Sequence, residues 1–211
     1  MLTTTKNSLL SAFSCLYTFL KSYKRGVIKQ YFSKQISLSN SAEKWANCQI
    51  KDCLSYEQPQ KYIVNSEHYS NKYPTPVLTA NKAFILGYTN EIDGIYNKGQ
   101  VVIYDDFTME SKFVEFPFKV KSSTIKMLTA SNGNNLYFLF CLLQYLQLKP
   151  EGHQRSYISI VEPMEVFIPS IKEQDFVADL FYSLNRCLEC EEINLSLLEK
   201  QKIGLLQQLF I

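Results

Sequence analysis

Histidine is nearly missing from this chain, with only His68 and His153 among 211 residues. The six cysteines do not make up for it: Cys187 and Cys190 form a single Cys-x-x-Cys with no second pair at zinc spacing, and Cys48 and Cys53 have no histidine nearby. They read as reduced, buried thiols rather than a metal centre. No Gly-x-Ser-x-Gly, no His-Glu pair and no glycine-rich phosphate loop occurs, so the common hydrolase and nucleotide-binding signatures are excluded. Long apolar runs are lacking as well. The richest, Leu136 to Leu148, is about 13 residues and carries Gln144 and Gln147, too short to span a bilayer. The start has no basic region followed by an unbroken apolar core and a cleavage site, so a cytoplasmic protein without a membrane partner is expected. Net charge is only +2, which by itself does not announce a nucleic-acid partner.

Acid is absent from one place in particular. Residues 1–41 hold six Lys/Arg and no Asp or Glu, whereas the stretch from Ile171 onward has four basic and seven acidic residues. Both stretches carry a heptad. Val177, Phe181, Leu184, Leu188, Glu191, Leu195, Leu198, Lys202, Leu205 and Leu209 follow steps of four and three, and eight of the ten are apolar. That is the narrow seam of a long packing helix. The ending Lys202-Ile203-Gly204-Leu205-Leu206-Gln207-Gln208-Leu209-Phe210 has an echo 178 residues earlier, in Lys24-Arg25-Gly26-Val27-Ile28-Lys29-Gln30-Tyr31-Phe32. The echo brings the seam with it: Leu10, Phe13, Tyr17, Leu20, Lys24, Val27 and Tyr31 fall on the positions of Leu188 to Leu209. The spacing is too long for a solenoid. It suggests a module of one globular domain plus one long helix, and opposite charges favour pairing the helices, within a chain or between two.

Between the helices the texture changes. A first helix is expected over 8–34, a linker at 37–41, and a lead-in over 45–54. Strands are expected at 61–64, 77–79, 84–88 and 100–104, with a hairpin-like connection through Gly94 and Gly99. Val114, Phe116, Phe118 and Val120 alternate with polar residues around Pro117, the pattern of an edge strand. A loop at 131–135 leads to a helix over 136–146, late strands follow at 157–161 and 166–168, and the long helix begins near Lys172. The expected architecture is a mixed α/β (α+β) domain at 42–170, flanked by an N-terminal helix and linker (1–41) and a long coiled-coil-like C-terminal helix (171–211).

Three stretches carry a family resemblance. They are Leu54-Ser55-Tyr56-Glu57-Gln58-Pro59 through Val64; Gly87-Tyr88-Thr89-Asn90 through Tyr104-Asp105-Asp106-Phe107-Thr108 to Phe118; and Gly152-His153-Gln154-Arg155-Ser156-Tyr157 through Gln174. In this order the chain resembles a half-length specificity (S) subunit of a type I restriction–modification system. Such subunits alternate target-recognition domains with conserved helices. The resemblance implies a non-catalytic reader of one half of a bipartite site on double-stranded DNA. It implies methyltransferase and restriction/translocase subunits as partners, which would use S-adenosylmethionine and ATP, and no cofactor for this chain. A homodimer through the helices would restore two recognition domains.

Base edges and phosphates are contacted by Lys, Arg and small polar side chains. The candidates are Lys82, Thr89, Asn90, Asp106, Thr108, Lys112, Lys119, Lys121, Lys126, Asn132, Asn134 and Arg155, each of which is also an ordinary surface residue by type. Two other classes stay open. Asp105, Asp106 and Glu110 are a nuclease-like acid set, although Asp and Glu-x-Lys are too close together for successive strands, and the aspartates also suit a turn cap. A coiled-coil adaptor without DNA contact is the third.

Overall fold

Val101, Val102, Ile103 and Tyr104 are apolar at every position, the mark of a strand covered on both faces. A computed structural model describes residues 2–38, 44–81, 83–150 and 155–209, with side chains from residue 8 to residue 208 within those ranges. It divides into two compact units, residues 41–178 and residues 1–40 together with 179–211.

The first unit contains nine strands among the described residues. β1 (Ala46–Gln49) pairs antiparallel with β9 (Glu165–Ile168), so the chain enters and leaves the domain side by side. Between β1 and β2 (Leu54–Glu57) lies the one-turn helix α2 (Ile50–Cys53). A four-stranded antiparallel sheet runs β2, β8 (Ile125–Ala130), β5 (Val101–Asp105), β6 (Ser111–Val114). A three-stranded sheet runs β4 (Ile85–Thr89), β3 (Thr75–Leu78), β7 (Lys119–Val120), with β3 and β7 parallel. Val101, Ile103, Met127 and Ile125 of the larger sheet share a core with Leu78, Val120, Phe118, Tyr62 and Tyr96. The opposite face is covered by α3 (Leu136–Leu146), which packs against β5, β6 and β8. Phe113 of β6 meets Tyr137 edge-on at 4.9 Å, and Gln144 Nε2 donates to Ser111 Oγ at 2.9 Å. Asn135 starts α3 by accepting from Phe138 N at 3.0 Å, and Gln147, in the left-handed region at φ 47°, ends it.

Several sequence expectations change here. Residues 61–64 are not a strand: Pro59 opens a 3₁₀ turn through Tyr62, and only Ile63 bridges to Val120. Gly94 and Gly99 do not close a hairpin, because β4 and β5 lie in different sheets and the connection crosses between them. The alternating run 114–120 is cut at Pro117, where the chain leaves β6 and joins the other sheet as β7. Residues 157–161 form a π-helical turn instead of a strand. Strand β8, central in its sheet, has no counterpart in the sequence reading, because Lys126 and Thr129 break its apolar run.

The second unit is helical. α1 (Leu2–Phe32) ends where Lys34 turns left-handed at φ 59° and Gln35 N donates back to Gln30 O at 2.8 Å. α4 (Ile171–Leu209) supplies its residues from Asp179 onward. Tyr31 packs edge-on against Phe181 at 6.0 Å, and Lys24 Nζ donates to Asn185 Oδ1 at 2.5 Å, so α4 advances as α1 is retraced: an antiparallel pairing. Leu10, Phe13, Tyr17, Leu20, Lys24 and Val27 are half-buried, as are Leu184, Leu188, Glu191, Leu195, Leu198 and Lys202; Phe181 is buried. Val177 is buried and belongs to the first unit. Leu205 is exposed and Leu206 takes the half-buried place, since a 3.6-residue period drifts off a 3.5-residue seam. The side chain of Leu209 lies outside the described residues.

Gly94 has φ +63°, and a Cβ there would stand 2.2 Å from the Lys61 carbonyl oxygen. Gly94→Ala is expected to lower unfolding free energy by at least about 1 kcal/mol in urea denaturation. A wild-type midpoint would show that the crossover relaxes freely.

Candidate nucleic-acid interface

Strand direction brings four connections to one end of the domain. β3 and β7 run parallel with Leu78 opposite Val120, and β5 ends at Asp105 opposite Ile125. The loops after Leu78, after Asp105 and after Val120 are bonded together there. Thr108 Oγ1 donates to Asn81 Oδ1 at 3.3 Å, Lys121 N to Leu78 O at 3.0 Å, and Asp106 N to Thr124 O at 3.0 Å. The segment beginning at Arg155 joins them, with Ser156 N donating to Asp106 O at 3.1 Å.

The two aspartates build this end. The Asp105 carboxylate accepts from Phe107 N and Thr108 N, each at 2.9 Å, and from Thr124 Oγ1 at 2.8 Å. It is a turn cap, and Phe107 and Thr108 stand exposed on the loop it shapes. Asp106 accepts from Tyr157 N at 2.9 Å and pairs with Lys126 at 3.3 Å, both side chains 1% exposed. Lys126 Nζ also donates to Gln58 Oε1 at 3.1 Å and lies 5.3 Å over the Tyr56 ring. Tyr104 shares a hydrogen bond of 3.1 Å with Ser156 Oγ, and burial pushes its phenol up to about 12, so it stays neutral. Tyr56 and Tyr104 pack on Tyr157 at 5.5 and 5.3 Å. Each stretch that carried the family resemblance thus contributes to one buried cluster.

The candidates therefore sort by position. Thr108, Lys121 and Arg155 come together at the loop end; Lys121 is half-buried and paired with Glu67, and Arg155 is exposed. Lys82, in the same loop as Asn81, lies outside the described residues, as does His153. Lys112 is half-buried on the edge strand β6. Lys119 and Lys126 do not face outward, contrary to expectation. Lys119 is 2% exposed, pairs with Glu91 at 2.9 Å and donates to Asp93 O at 2.6 Å. Partial burial raises the Glu91 carboxyl, but Lys119 and the Ser66 and Asn65 amides outweigh that and hold it below the usual carboxylate range. Asp106 is likewise interior. Thr89, buried, and Asn90 lie at the other end of the three-stranded sheet, since Thr89 pairs with Thr75. Asn132 and Asn134 are also elsewhere: Asn132 Nδ2 holds Asp52 O at 2.9 Å, and Asn134 accepts from Gln174 Nε2 at 2.9 Å beside the start of α4. Phe107 and Asn81 were missed. The Asp-Asp-Phe-Thr turn after an apolar strand is the signal that marks Phe107.

The carboxylates of the nuclease alternative are committed to these bonds, while Glu110 is exposed. Among the described residues no group of three or more His, Cys, Asp or Glu is placed to hold a metal ion, and no helix is long and apolar enough to cross a membrane.

No family model matches the chain. It is 47% identical over 126 residues to the Escherichia coli type I restriction enzyme EcoR124I/EcoR124II specificity subunit, covering 57% of this chain and 31% of that one. Over that stretch the chain is similar in sequence to a type I specificity subunit. The fold agrees over nearly its whole length. The crystal structure of the M. genitalium type I S subunit superposes with a TM-score of 0.78 at 14% identity, over 98% of this chain and 58% of that one. The HsdS subunit of Thermoanaerobacter tengcongensis gives 0.58 at 8% identity, over 98% and 55%. The chain spans about a third of the curated specificity subunit and little over half of each solved one.

Lys126→Met alone leaves Asp106 buried without its cation and is expected to cost about 3–5 kcal/mol in chemical denaturation. Adding Asp106→Leu should recover most of it. Equal losses in the single and double variants would show that the pair is not the cost.

Proposed function

We propose that this chain is the sequence-reading subunit of a type I restriction–modification assembly, with residues 42–170 as the recognition domain and the helices as spacer and docking element. The observation that carries the reading is the 47% identity to a specificity subunit over 126 residues. The reader's face is the loop end bearing Asn81, Phe107, Thr108, Lys121 and Arg155. Its loops are held by buried bonds, so little order is lost when DNA docks. Arg155 serves phosphate, and Thr108 and Asn81 offer donor and acceptor groups to base edges. The chain supplies no chemistry of its own. Methylation and cleavage belong to methyltransferase and restriction subunits, in the cytoplasm.

A second copy completes the site. Glu191, half-buried in the α4 seam, has an Oε2 with no hydrogen-bond partner among the described residues, whereas Lys24 finds Asn185. A second apolar line stands exposed beside the seam: Leu9, Leu16, Phe19 and Tyr23 on α1, Ile193, Leu197 and Ile203 on α4. Two copies related by a two-fold axis present two identical readers, and so an interrupted palindrome.

A gel shift with the methyltransferase subunit present should weaken as salt rises. Arg155→Ala should weaken it alike for all sequences and flatten the slope of log K against log salt by about one. An unchanged slope places Arg155 off the phosphates, and salt-independent binding contradicts the reading. Sequencing modified bases in cells carrying the chain and its methyltransferase should return a symmetric site; an asymmetric one overturns the homodimer. Glu191→Leu should alter the mass measured by light scattering, and no change would mean that Glu191 does not face a second copy.

A further inference from the structure

The domain's other end holds two sulfur atoms that the recognition reading does not use. Cys48 lies on β1 and Cys53 at the last position of α2, with their Sγ atoms 3.2 Å apart. They are the ends of one tight backbone turn that is held from several sides. Gln49 N donates to Asp52 Oδ2 at 2.9 Å inside the turn. Ile50 N and Lys51 N each reach carbonyls of the 162–164 segment at 3.1 Å, and Ser131 N donates to Cys53 O at 2.8 Å. The contact is therefore built into the backbone, and does not depend on two mobile side chains meeting by chance. The other cysteines differ: Cys15, Cys187 and Cys190 are exposed on helices, and Cys141 is buried in α3.

We propose that Cys48 and Cys53 form an oxidisable dithiol that takes a peroxide and closes to an intramolecular disulfide. The sulfurs need to approach by only about 1 Å to reach a bond of about 2.05 Å. Their exposures assign the order. Cys48 is half-buried and reachable, while Cys53 is 1% exposed. Burial, with Cys48 alongside, pushes the Cys53 thiol up to about 12, so it keeps its proton and waits.

Cys48 loses its proton to solvent, and its sulfur attacks one oxygen of hydrogen peroxide. The O–O bond breaks, leaving a sulfenic acid on Cys48 and hydroxide, which takes up that proton as water. The Cys53 sulfur then attacks the Cys48 sulfur. The S–O bond breaks, and the hydroxyl leaves as a second water with the Cys53 proton. Two thiols lose two electrons in all, and one peroxide becomes two waters. A dithiol reductant reverses the change by exchange. The disulfide ties β1, which pairs with the outgoing strand β9, to the point where β2 begins.

Trypsin cuts after Lys44, Lys51 and Lys61, which separates the two cysteines. The test uses the full chain with Cys15, Cys187 and Cys190 replaced by Ser, treated with hydrogen peroxide, blocked with an alkylating agent and digested. The expected product is one species joining peptides 45–51 and 52–61, lighter by two hydrogens than their sum and split by dithiothreitol. Circular dichroism before oxidation verifies the fold, and the wild-type chain treated in parallel should give the same pair. Cys48→Ser should leave Cys53 reduced, open to alkylation only after denaturation. Separate alkylated peptides, sulfinic or sulfonic acid on Cys48 without a link, or disulfides to Cys141 alone would overturn the proposal.

Discussion

The α/β domain depends on a lysine and an aspartate that water cannot reach. Lys126 and Asp106 are each 1% exposed and 3.3 Å apart. Burying two charges carries a large desolvation cost, recovered only in one good geometry with further polar partners. Those partners come from distant parts of the chain: Gln58 and Tyr56 from the first strands, Tyr157 from the segment before β9. A shift of any of these segments leaves a charge in the dark without its partner. The pair thus acts as a register for the whole loop end, and the capped turn at Asp105 carries that order out to Phe107 and Thr108.

The two ends of the domain are held by different chemistry. At the loop end, charge and tyrosine stacking hold connections that change sheets. At the end where the chain enters and leaves, amide side chains do the work: Asn132 Nδ2 donates to Asp52 O, and Gln174 donates to Asn134 Oδ1 and accepts from Asn135 N. Neutral amides cost less to bury than charges once they are hydrogen-bonded, which suits a hub where α2, α3 and the first turns of α4 begin. The Cys48–Cys53 contact lies in that hub, remote in the strand direction from the loops around Asp105 and Thr108.

In the helical unit the polar breaks in the seam are unequal. Lys24 is satisfied by Asn185, whereas one carboxylate oxygen of Glu191 is buried without a hydrogen bond among the described residues. A buried unsatisfied acceptor costs on the order of 1–3 kcal/mol, more when charged. That cost is removed when a donor arrives from elsewhere.

What the sequence determined by itself was periodic. The 3.5-residue seam, its echo 178 residues earlier and the apolar β5 need only near neighbours, so helices α1, α3 and α4 and strands β3, β4, β5 and β9 were legible. So were the stretches that mark kinship with specificity subunits. The tertiary structure alone decided which polar residues face inward. Lys119 and Lys126 look like surface lysines because no local pattern records that Glu91 and Asp106 arrive opposite them. The break at Pro117, the crossover through Gly94 and the central strand β8 were hidden for the same reason: sheet membership is settled by pairing between distant segments. Side-chain type sets what a residue is able to do, and long-range pairing sets where it can do it.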